Sequence, residues 1–125
     1  MALEEVMAGA ETMILEKDFR LTEDSQRRRK TGVSSSRRRV TYHNGSRLVD
    51  FKVIKQRQTV LRIRLRDGAY DSSLDINGDG TVVAYHYKPL PGQEPGVKSP
   101  YVPGFQVGRD YADAISEMMK VALEG

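Results

Sequence analysis

Thr59-Val60-Leu61-Arg62-Ile63-Arg64-Leu65-Arg66 is the stretch that decides the fold. From Leu61 on, apolar and guanidinium side chains alternate without a break. A period of two is that of a β-strand, whose successive side chains point to opposite faces. Leu61, Ile63 and Leu65 therefore need a cover, while Arg62, Arg64 and Arg66 need water or a counter-charge. A rise of about 3.3 Å per residue spaces those arginines about 7 Å apart. The segment predicts a sheet with an oily side and a basic side.

Working toward the N-terminus, Lys55-Gln56-Arg57-Gln58 reads as a short break. Before it, Leu48 to about Ile54 reads as a strand with Val49, Phe51 and Val53 on one face and Asp50, Lys52 and Ile54 on the other. Val40 and Tyr42 lead into His43-Asn44-Gly45-Ser46, and Asn-Gly is a strong hairpin signal because a type I′ turn needs positive φ at both central positions. Toward the C-terminus, Asp67-Gly68 and Asn77-Gly78-Asp79-Gly80 offer further turns. Thr81 to Tyr87 is a further strand, from which Tyr85 or His86 would join the basic face. Lys88 to Pro103 holds all five prolines and is expected to be a loop. Phe105 and Val107 point to a short last strand.

Both ends of the chain read as amphipathic helices. Leu3, Val6, Met7, Ala10, Met13 and Ile14 repeat at spacings of three and four. At the other end Asp110 is the expected N-cap of a helix over Arg109 to Leu123, with Tyr111, Ile115, Met118, Met119 and Ala122 as its buried stripe. The expectation is an α+β domain over 1–125 with an antiparallel meander of four to six strands and both helices on one face. Its parts are a helix over 1–16, a basic flexible arm over 17–39, the sheet over 40–87, the proline-rich loop over 88–103, and a short strand and helix over 104–125.

Charge divides sharply along the chain. The net value is +3, yet residues 1–16 carry −4, residues 17–66 carry +12 and residues 67–125 carry −5. So large a local excess attracts polyanions whatever the total. Two clusters dominate it, Arg27-Arg28-Arg29-Lys30 and Arg37-Arg38-Arg39, around a Ser- and Gly-rich stretch. With Lys52, Lys55, Arg57, Arg62, Arg64 and Arg66 on the sheet, they form the candidate phosphate-binding set. The plainer reading of the sheet arginines is a solvated face paired with acids of the C-terminal region or of the first helix.

Other motifs lead nowhere chemically. Asp75, Asn77 and Asp79 with Gly80 resemble the opening of a calcium loop, but position twelve is His86 rather than an acid, so the stretch reads as a turn and no metal is expected. His43 and His86 are far apart and lack ligand-spaced partners. No catalytic constellation is found, and no cofactor is expected. With no cysteine, disulfides are excluded and a cytoplasmic or nuclear setting is expected. No apolar run is long enough to span a bilayer, so no membrane partner is expected. Acids in the first residues argue against a signal peptide.

Val40-Thr41-Tyr42-His43-Asn44-Gly45-Ser46-Arg47-Leu48-Val49-Asp50-Phe51 followed by Val60-Leu61-Arg62-Ile63-Arg64-Leu65 resembles a bacterial and archaeal family of uncharacterised α+β domains. These occur alone or at the C-terminal end of predicted transport or nuclease-associated proteins. The likeness covers residues 38–66 and, in outline, 104–124. It implies the same fold and transfers no catalytic residue. The function expected is a small nucleic-acid-binding or nucleic-acid-associated accessory domain that holds phosphates without reading sequence. The alternative is an interaction or oligomerisation module whose basic face docks an acidic partner or a second copy.

Overall fold

The first helix, α1 (Leu3–Glu16), buries Leu3, Val6, Met7, Ala10 and Ile14, the face that the spacing predicts. Glu4 and Glu5 in its first turn complement the positive end of the helix dipole. Just past its end Asp18 adopts a left-handed backbone, φ 64°, which Asp tolerates better than most residues. The reversal drops Phe19 into the core, edge-on to Phe51 with ring centroids 4.9 Å apart. The structure is a computed structural model and describes residues 3–28, 36–44, 49–57, 60–68, 70–89, 101 and 107–124.

The strands follow in chain order as β1 (Arg20–Arg28), β2 (Ser36–Asn44), β3 (Val49–Arg57), β4 (Val60–Asp67), β5 (Tyr70–Asn77) and β6 (Val82–Pro89). Each pairs antiparallel with the next, giving a six-stranded meander with β1 and β6 at its edges. Register sets Val40, Val53, Ile63 and Leu74 in one cross-strand row and Tyr42, Phe51 and Leu65 in the next. All of these are buried with α1 and the last helix, α2 (Tyr111–Glu124), in one apolar cluster. The expected α+β meander with both helices on one side is the architecture observed.

Helix α2 is tied to the sheet at its first turn. Asp110 Oδ2 accepts the N–H of Ala112 at 3.1 Å, the capping role expected of it. The Tyr111 N–H donates to Gly80 O at 2.9 Å, and Val82 N–H donates to Arg109 O at 2.8 Å. Gly80 holds φ +88° with the Tyr111 ring 3.0 Å from where a β-carbon would stand, so a side chain there is strained twice over. On its other side Tyr111 meets Gly9 of α1, where a β-carbon would collide with the tyrosine hydroxyl. These two glycines let α1, α2 and the β5–β6 turn close on one ring.

Several expectations need correction. Residues 17–39 are not a flexible arm throughout, because 20–28 and 36–39 are paired strands. Backbone pairing outweighs low apolar content there: β1 is an edge strand and leans on one neighbour only. The break at 55–58 gives way to β3 continuing to Arg57, through a register shift between Lys55 and Arg57. Lys55 consequently sits on the helix side, with its Nζ 2.5 Å from Glu4 Oε1 of α1, and not on the basic face. Residues 70–77 form β5, a strand that the sequence reading did not assign. Residues 107–110 contribute an isolated bridge, Thr81 to Asp110, instead of a strand, and Phe105 lies outside the described residues. Tyr85 faces the core, and His86 alone joins the outer face.

Candidate functional site

The outer face of the sheet is built by register. Three rows cross it, and each places β4 arginine beside β5: Arg66 opposite Asp71, Arg64 opposite Ser73, Arg62 opposite Asp75. Arg62 meets its opposite number as a fork, Nε to Oδ1 at 2.7 Å and a terminal nitrogen to Oδ2 at 3.1 Å. Arg64 reaches diagonally to Asp71 in the same bidentate way, at 2.8 and 2.5 Å. Arg66 Nε stands 3.9 Å from the same Asp71. His86 Nε2 lies 3.1 Å from Asp75 Oδ2, so Asp75 is shared between Arg62 and His86.

The electrostatics follow from that geometry. The side chains of Asp75 and Asp71 are only 14% and 11% exposed, so an unpartnered charge on either would be costly. Burial disfavours the Asp71 charge, but the hydrogen bonds and charge of Arg64, helped by Arg66 and Lys88, outweigh it and hold the carboxyl below the usual carboxylate range. Asp75 strikes the same balance against burial through Arg62 and His86. Hydrogen bonding to these aspartates in turn raises Arg62 and Arg64 above the ordinary guanidinium value. The forks engage the Nε edge of each guanidinium, the edge that a phosphate would also use.

One row of this face runs in register from β1 to β6 through Arg20, His43, Asp50, Arg66, Asp71 and Lys88, and sign alternates along it from Asp50 to Lys88. His43 Nδ1 and Asp50 Oδ1 approach to 2.6 Å within it. Lys52, expected to line a basic face, stands between Thr41 and Arg64 in the next row. The face is a mixed ionic lattice. The acids paired with the β4 arginines are Asp71 and Asp75 of β5, within the acidic stretch 67–125, in line with the plainer reading, and Asp50 of β3 adds a further carboxylate to the face.

The second arginine array lies along β1 and β2. Pairing of β2 with β3 ends at Arg39 opposite Ile54, whereas pairing of β1 with β2 runs on through Gln26–Arg38, Arg27–Arg37 and Arg28–Ser36. Past that point β1–β2 and β3–β4 continue as two separate ribbons. Three further pairs carry the β1–β2 ribbon about 10 Å beyond its last bond to β3. Residues 25–39 hold seven basic residues and no acid. Arg29 and Lys30 lie outside the described residues. Arg57 ends β3 opposite Val60.

The Asn77–Gly80 stretch is a turn that spends its own oxygens. Asn77 Oδ1 accepts the N–H of Asp79 at 3.3 Å and of Thr81 at 3.1 Å, and Asp79 Oδ1 accepts Thr81 N–H at 2.8 Å. Among the described residues no helix is long and apolar enough to cross a membrane. Comparison with known proteins returned no matching family model, no matching curated protein and no matching solved structure. The likeness read over 38–66 and 104–124 therefore rests on those residues alone.

Proposed function

We propose that the chain binds nucleic acid through phosphate contacts from the β1–β2 ribbon, and that the β4 arginines serve the fold. One contrast supports this reading: Arg62 and Arg64 are forked onto aspartates, while residues 25–39, with Arg27, Arg28, Arg37, Arg38 and Arg39, include no acid in their sequence, the nearest being Asp24. Seven cations in fifteen residues give a local field that draws a polyanion and releases its counterions. Contacts of this kind position a protein without selecting a sequence. The interface is thus smaller than a basic ribbon plus a basic sheet face, and it sits at one end of the sheet.

Titrating a fluorescent mixed-sequence oligonucleotide tests the reading. Affinity should fall by about 10³-fold or more between 50 and 200 mM salt if six or more phosphates are neutralised. Binding that ignores salt, or its absence at low salt, contradicts it.

A further inference from the structure

We infer that Asn77 is a site of self-modification, at which the backbone nitrogen of Gly78 attacks the side-chain amide and the residue becomes aspartate or isoaspartate. The inference stands apart from nucleic-acid binding. Asn77 opens the β5–β6 turn, where Gly80 N–H donates to Asn77 O and Asn77 N–H donates to Thr81 O, each at 3.0 Å. Its side-chain Oδ1 accepts the N–H of Asp79 at 3.3 Å and of Thr81 at 3.1 Å. A side-chain carbonyl bonded to the N–H two residues on arches over the peptide between, which here is that of Gly78. Asn77 Cγ is thereby brought toward the Gly78 nitrogen, the proximity that such an attack needs. The same two N–H donors stabilise the negative charge that Oδ1 gains as the nitrogen adds. Gly78 offers no obstruction, since nothing stands within 4 Å of where a β-carbon would be.

The Gly78 nitrogen gives its proton to hydroxide and its lone pair to Asn77 Cγ, so a C–N bond forms and a five-membered imide closes. The bond from Cγ to Nδ2 breaks, and ammonia leaves with a proton taken from water. Water then opens the imide. Cleavage at Cγ gives aspartate, and cleavage at the main-chain carbonyl gives isoaspartate, whose backbone is one methylene longer. That methylene enters the hairpin whose Gly80 O accepts the Tyr111 N–H, and so loosens the tie between sheet and α2. Asn44-Gly45 carries the same pair of residues in another setting. Asn44 is 8% exposed and ends β2 opposite Val49, so water is kept from its amide, whereas Asn77 is part-exposed.

The test keeps the full chain in mildly alkaline buffer and follows the peptides carrying Asn77 and Asn44 by mass spectrometry. Asn77 should change from amide to acid severalfold faster than Asn44, with isoaspartate among its products. In urea, where neither pair is held by the fold, the two rates should converge. Gly78→Ala should slow the change at Asn77 severalfold and leave the fold intact, because Gly78 has no positive φ and its surroundings are open. An Asn77 that stays an amide, an Asn44 that converts as fast in the folded chain, the same preference in urea, or a Gly78→Ala variant with the wild-type rate overturns the inference.

Discussion

The arginines of β4 and those of β1 and β2 are the same residue type in the same sheet, yet they differ in the residues that register and sequence set beside them. Arg62 and Arg64 each hold a mostly covered aspartate in bidentate geometry, one strand away. Arg27, Arg28, Arg37, Arg38 and Arg39 are paired by register with Ser, Gln and one another, in a stretch without acids. A count of positive charge cannot separate these cases. What separates them is the nearest carboxylate and how much water has been removed from it. On the function proposed, the block of +12 over residues 17–66 divides into a part that joins β4 to β5 and a part that meets nucleic acid.

The largest effect that could break this contrast is on stability. Changing Arg62 and Arg64 together to Gln leaves two mostly covered aspartates without their forks. The cost should be about 2–4 kcal/mol in urea unfolding, taking about 1–2 kcal/mol per site because the arginines are themselves part-exposed. The same change at Arg27, Arg28, Arg37, Arg38 and Arg39 should stay within about 0.5 kcal/mol, as for ordinary surface positions. Equal losses in the two variants would end the distinction.

A reversal of the contrast comes next. Replacing Asp71 and Asp75 with Asn should free the β4 guanidiniums for phosphate. Oligonucleotide affinity at low salt should then rise about tenfold, with about two more counterions released. Affinity unchanged in a folded variant would show that the aspartates are not what keeps the β4 arginines from the ligand.

The smallest effect sharpens it through pH. Asp71 and Asp75 titrate lower in the folded chain than in the unfolded one, where a carboxyl of this type sits near 3.9. Their contribution is therefore complete above that value and is lost as pH falls through the folded values. Wild type should shed about 1 kcal/mol more than the Arg62, Arg64 double variant between about pH 5 and pH 3. Identical acid profiles for the two proteins would mean that the forks contribute little in solution.

Much of the fold was legible because the β3 and β4 segments and both helices repeat cleanly. Leu61, Ile63 and Leu65 are fully buried, as alternation demands. Strand β5 was not legible, since Ser72, Ser73 and Leu74 are buried in succession and break the period. The turn signal at Asp67-Gly68 did not fix its register either: counting outward from those two residues sets Asp71 against Arg64 and Ser73 against Arg62, whereas Asp67 pairs with Tyr70, which sets Asp71 against Arg66 and Asp75 against Arg62. A hairpin drawn from that turn would have brought Asp71 beside Arg64 and missed Asp75 as the partner of Arg62. The β1–β2 pairing had no such marker. Arg-rich strands at an edge look like loop, and only the neighbouring backbone makes them a ribbon.

The most direct test compares the salt dependence of oligonucleotide binding in wild type, in the five-site ribbon variant and in the Arg62, Arg64 double variant. Wild type and the β4 variant should share one steep line of log affinity against log salt. The ribbon variant should lose about 0.9 in slope for every phosphate contact removed. A ribbon variant with the wild-type slope, alongside a flattened line for the β4 variant, would contradict the account and return the binding surface to the face of the sheet.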